Sequence, residues 1–135
     1  MDNFRVKSPV KSFRDLEVYQ TTIQLSNQLT SLEFLSENKQ EIAQVSEEIP
    51  KLIAEAYGER FDSSELAEKK LSRTLILVAD VITLLDLLRD RFKDDPEKKD
   101  ALDKLLIKYS YQKRKILNLK TAWARVFAGS SYGKH

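Results

Sequence analysis

Apolar residues recur at three- and four-residue intervals along most of this chain, the period of a helix with one buried face. Leu16, Tyr19, Ile23 and Leu29 mark the inward face of a first helix, which the spacing carries to about Leu35. Ser12 and Asp15 form a variant of the capping box at its start. The polar SENK at 36–39 reads as a turn. A second helix then runs from about Gln40 to Tyr57, with Gly58 placed to end it in a left-handed conformation. Asp62, Ser63 and Ser64 offer N-caps for a third helix reaching about Phe92, and Glu65 and Glu68 suit its positive end. Its apolar positions, among them Leu71, Leu75, Val78, Ile82 and Leu85, cover a wider arc than the roughly 100° of a surface helix. Such a helix either sits centrally or faces a second subunit. In DDP, 94–96, Asp95 caps a fourth helix and Pro96 takes its first position. That helix continues through Leu102, Leu105, Tyr109, Ile116, Leu119 and Trp123 to about Phe127.

The second helix contains Pro50, which removes one backbone donor and crowds the carbonyl of Ser46. The stripe Ile42, Val45, Ile49, Ile53, Ala56 nevertheless keeps its phase across the proline. That phase predicts a kinked helix with Pro50 directed away from the stripe. The competing reading starts a new helix near Ser46, with the proline at the edge of its first turn. Four helices joined by short polar turns predict an all-α fold, an antiparallel up-down four-helix bundle over residues 12–128. Residues 1–11 read as a disordered basic segment and 129–135 as a flexible tail.

Composition agrees with the pattern. With 135 residues, three glycines, three prolines and 33% charged residues, one helical domain with a real core is expected. The chain has no cysteine, which fits a reducing cytoplasm and excludes disulfides and thiolate metal sites. MDNFRVKSPVKSF lacks the apolar core of a signal peptide. Asp80 and Asp86 interrupt the best apolar run, so no membrane span is expected. The net charge of +2 is unevenly spread. Ser31 to Glu68 holds ten carboxylates against Lys39, Lys51 and Arg60, whereas no acid follows Asp103. Such asymmetry points to an anionic partner or to head-to-tail self-association.

FRDLEVYQ at 13–20 and IPKLIAEAYGER at 49–60 resemble two motifs of the four-helix-bundle proteins encoded in intervening sequences of bacterial 23S ribosomal RNA genes. Tyr19 stands where that family has Trp, Leu52 where it has Asn, and Ala56 where it has Gly. The resemblance implies a proline-bent second helix and assembly as a toroidal homopentamer, with nucleic-acid binding as the usual suggestion. NLKTAWARVFAG at 118–129 is loosely similar to the basic, Trp-containing last helix of the related accessory proteins of diversity-generating retroelements. That likeness implies a nucleic acid, RNA or DNA, and a reverse transcriptase as partners. The family's arginines early in the second helix are replaced here by QEIAQVSEE, which turns attention away from that helix as a nucleic-acid contact.

Catalytic chemistry finds little footing. The single histidine is His135, the last residue. Asp86 and Asp90 share a helix face near Asp80, but no Glu-x-x-His partner accompanies them, and a solvated acidic face is the expected reading. Glu55 and Tyr57 fit a structural hydrogen bond better than acid–base work, for which no second group is present. No phosphate loop and no nucleophile with a base occur, so neither an enzyme, a cofactor nor a small-molecule substrate is expected. The fourth helix is the functional candidate. Lys104, Lys108, Tyr111 and Lys115 fall along one flank, with Arg114 and Arg125 pointing more directly outward. Such a row suits a phosphate backbone with Tyr111 stacked on a base, or else is an ordinary solvated face beside acids of another helix or subunit.

Overall fold

The computed structural model describes the backbone of residues 12–133 and the side chains of residues 12–126. The N-terminal segment 1–11 and His135, both singled out above, lie outside the described residues. Four helices follow in order: α1 (Glu17–Thr30), α2 (Lys39–Glu59), α3 (Ser64–Arg91) and α4 (Pro96–Gly133). Each packs on its sequence neighbours, and α4 closes the ring against α1, the arrangement of an up-down bundle. The antiparallel sense is written in side-chain pairs between neighbours. Ser26 meets Ser46, the end of α2 meets the start of α3 at Glu55–Lys70, and Arg89 near the end of α3 meets Asp103 early in α4. Gln112 of α4 reaches Thr22 of α1. No strand occurs among the described residues.

The interior is apolar along nearly its whole length. Leu29, Ile42, Ile49, Ile53, Val78, Val81, Leu85, Leu102 and Ile116 are completely enclosed. Each such aliphatic side chain stabilises the fold by roughly 1.5–3 kcal/mol over its exposed state. A smaller cluster, Ala56, Ala67 and Leu71, packs under Leu119 and Trp123 where α4 has outrun α1. Alanines let α2, α3 and α4 converge at that end. A polar seam crosses the core as well: Thr22, Ser26, Ser46, Thr74 and Gln112 are all buried.

Several local expectations are corrected. The capping box of Ser12 and Asp15 is present, but it opens a single 3-10 turn, Phe13–Asp15, and α1 begins only at Glu17. Leu16 between them is extended, and Phe13 closes edge-on against Tyr19 at 4.9 Å. Helix α1 stops at Thr30, not near Leu35: Leu32 turns to extended backbone, and the hydroxyls of Thr30 and Ser31 donate to the carbonyls of Ser26 and Gln28 in the last turn. A second 3-10 stretch, Glu33–Asn38, lets Leu35 plug the core while Phe34 packs edge-on against Phe92. The inward face of α1 is Thr22, Leu25, Ser26 and Leu29, with Tyr19 and Ile23 only half-buried.

Helix α2 runs unbroken through Pro50, so it does not restart near Ser46. Pro50 is itself buried and does not point away from the packed side. Next to the bond that the proline withdraws, Ser46 links α2 to Ser26 of α1 at 3.1 Å. Gly58 does not terminate the helix in a left-handed conformation; no glycine among the described residues has a positive φ, and α2 continues to Glu59. The Arg60 guanidinium donates to the Tyr57 carbonyl and lies 3.5 Å from the Tyr57 ring centre, closing the helix end by side-chain means. Ser63 caps α3 by accepting from Leu66, and Asp95 accepts from Lys98 at the start of α4. Helix α4 passes the expected end near Phe127 and continues to Gly133.

Candidate nucleic-acid interface

All six residues singled out on the fourth helix are exposed on α4. At 100° per residue, Lys104, Lys108, Tyr111, Arg114, Lys115 and Arg125 fall within an arc of about 120°, and they extend over roughly 31 Å of helix axis. The sequence reading therefore describes one face. It is not one compact site. Lys108, Tyr111, Arg114 and Lys115 lie within two turns of each other. Arg125 stands roughly 15 Å farther along, on the part of α4 that α1 does not accompany.

The cations differ in how they are occupied. Lys104 pairs with Asp100 one turn earlier, 3.1 Å away, and both ends are well exposed. Lys115 stands 3.8 Å from Glu17 of α1, and Lys108 donates to the Gln28 side chain at 3.1 Å. Exposed pairs of this kind stabilise by no more than about 1 kcal/mol, so a phosphate competes with them readily. Arg114 and Arg125 make no ion pair or hydrogen bond among the described residues.

Between α1 and α4 runs a groove of about 370 Å³. Leu25 and Gln112 line it, Lys108 and Lys115 flank it, and Tyr111 forms one wall. Gln112, absent from the sequence-based set, is 1% exposed. Its amide nitrogen donates to the Val18 carbonyl at 2.7 Å and to the Thr22 hydroxyl at 2.6 Å. Its amide oxygen has no partner among the described residues. The signal for it was present in the sequence: Gln112 occupies an inward position between Tyr109 and Ile116, in register with the apolar stripe of α4.

The remaining titratable candidates have structural surroundings. Asp86 accepts from Arg89 at 2.7 Å, while Asp80 and Asp90 are exposed. Arg89 and Lys99 converge on Asp103, and the hydrogen bond from Lys99 is the main cause holding its carboxyl below the ordinary 3.8, against an opposing effect of burial. Glu55 accepts from Lys70 at 2.9 Å. Tyr57 lies between Arg60 and the Trp123 ring. No group of three His, Cys, Asp or Glu side chains suited to a metal ion occurs among the described residues. No helix among them is long and apolar enough to cross a membrane.

Apolar side chains interrupt and border the basic face. Ile107 and Leu117 are exposed on α4, and a depression over Ser110 joins Leu117 to Leu75 of α3. Ile76 and Leu87 are exposed on α3, so its wide apolar face is only partly covered by α2 and α4. Comparison with known proteins gives no match to a family model, a curated protein or a solved structure.

Proposed function

We propose that this bundle is a non-catalytic, cytoplasmic, oligomeric protein that binds nucleic acid, or a nucleoprotein partner, through the outer face of α4. The observation that carries the reading is the gathering of five of the seven described cations of an acid-free segment, Lys104, Lys108, Arg114, Lys115 and Arg125, on one exposed arc, with Lys113 and Lys120 lying off it. A net charge of only +2 makes a single copy a weak binder, and repetition of the face in an oligomer multiplies it. The motifs at 13–20 and 49–60 support membership of the ribosomal intervening-sequence bundle family, and with it a homopentamer. The test is a fluorescence titration of labelled RNA and DNA against salt. Binding at low salt is expected, with a log–log slope of about −2 to −4 for the few phosphates one row can neutralise. Charge reversal of Lys104, Lys108 and Lys115 together lowers affinity at least tenfold. Absence of binding at low salt overturns the reading.

A second reading has its own support in Leu117 beside Leu75 and in Ile107 farther along α4, exposed apolar side chains of the kind found at protein contacts. On it, the bundle is a structural or protein-interaction module, such as an accessory subunit of a reverse transcriptase, without direct nucleic-acid contact. Retention of a protein partner by the charge-reversed variant, with no nucleic-acid binding by the parent, selects it.

A further inference from the structure

Nine aromatic side chains lie among the described residues, and eight have an evident structural place. Phe13 packs on Tyr19, Phe34 on Phe92, and Tyr57 on Trp123. Phe61 lies against the Arg60 guanidinium, and Tyr109 is fully buried. Tyr111 alone has none: it is 66% exposed and makes no ring contact, cation contact or hydrogen bond among the described residues. It also walls two depressions at once, the α1–α4 groove on one side and a separate hollow lined by Leu106, Ile107 and Ser110 on the other. The ring therefore stands as a blade in solvent. Lys108 lies one turn before it and Lys115 one turn after, both lining the same groove, and Arg114 lines the opposite hollow.

We infer that the α1–α4 groove takes an unpaired nucleobase stacked on Tyr111, with the flanking phosphates on Lys108 and Lys115, so that the basic face selects single strands over duplexes. This rests on the nucleic-acid reading above and narrows it. A duplex presents α4 with phosphates but keeps its base faces stacked inside, where Tyr111 cannot reach them. A single strand offers both, and stacking on an aromatic ring tolerates any base sequence. With its amide nitrogen committed to Val18 and Thr22, the buried Gln112 gives the groove a fixed floor.

The test compares four probes of equal length with the parent protein: single-stranded RNA, single-stranded DNA, duplex DNA, and a DNA strand with abasic sites throughout. The two base-bearing single strands are expected to bind at least tenfold more tightly than the duplex and the abasic strand. Tyr111→Ala removes that preference with little change for the duplex, and Tyr111→Trp keeps it. The double variant Lys108→Glu, Lys115→Glu weakens all four probes. Because Tyr111 is exposed and without partners, its substitution leaves folding intact, which circular dichroism verifies. Equal binding of all four probes, or equal loss across them on Tyr111→Ala, overturns the base site and leaves the basic face standing. Failure of every probe to bind overturns both.

Discussion

Tyr109 sits at the centre of the bundle with its hydroxyl lacking a hydrogen-bond partner among the described residues. A buried hydroxyl stripped of water without a replacement bond is a net cost, whereas the ring around it is a large apolar gain. Tyr109→Phe keeps the ring and removes the cost, so a stabilisation of about 1 kcal/mol in urea is expected. A loss of that size would show instead that the hydroxyl is satisfied in solution. The pH dependence has a definite sign. Burial pushes the phenol above its ordinary 10, so the phenolate is favoured only in the unfolded chain. The associated stability is whole below that ordinary value and is lost as pH climbs past it. Between about pH 9 and about pH 11 the parent should therefore lose more stability than the Phe variant. In the sequence Tyr109 is simply one more apolar position of α4. Its unpaired hydroxyl, like the carbonyl of Gln112, emerges only when a neighbouring helix decides what it faces.

At the scale of elements, three-to-four-residue spacing was enough to place all four helices, and the residues that escaped it have local causes. Helix α1 ends early where Leu32 turns to extended backbone and Leu35 enters the core, a change that leaves the apolar period untouched. Pro50 was legible as lying inside one helix because Ile49 and Ile53 hold the stripe on either side. Its own burial was not legible, since it depends on how closely α2 is approached by its neighbours. The connection from α1 to α2 holds the clearest backbone strain. Ser36 is exposed at φ 48 and ψ −112, a region that glycine enters without a side-chain clash. Ser36→Gly should therefore stabilise the fold by about 1 kcal/mol, the relieved strain exceeding the added freedom of the unfolded chain. Thermal unfolding checks it; a lower Tm would mean that the Ser36 side chain holds the connection together.

For the whole molecule, the charge asymmetry of the sequence becomes an arrangement in space. Because α2 and α4 are each flanked by α1 and α3, they stand on opposite sides of the bundle. Glu41, Glu47 and Glu48 are exposed on α2, and the lysines and arginines discussed above are exposed on α4. The two faces are complementary and different, which suits a heterologous contact, the kind that closes into a ring when its rotation allows. Sequence counts could locate the acidic and basic segments but not their opposition, which follows from the order in which the helices pack. If α4 of one copy meets α2 of the next, light scattering should give a multiple of 15.6 kDa that falls as salt rises. Glu47→Lys with Glu48→Lys should lower that mass, and adding Lys108→Glu with Lys115→Glu should restore it, because the swapped charges again oppose each other. Nucleic-acid affinity separates the two uses of the basic face. Lys108 and Lys115 cannot serve both contacts at once, so nucleic acid bound on this face should lower the mass. A mass unchanged by saturating nucleic acid means that the copies meet elsewhere and leave the basic face free to be repeated. A particle that stays at 15.6 kDa under all conditions removes the oligomer and leaves α4 to act as a single, weaker row of charge.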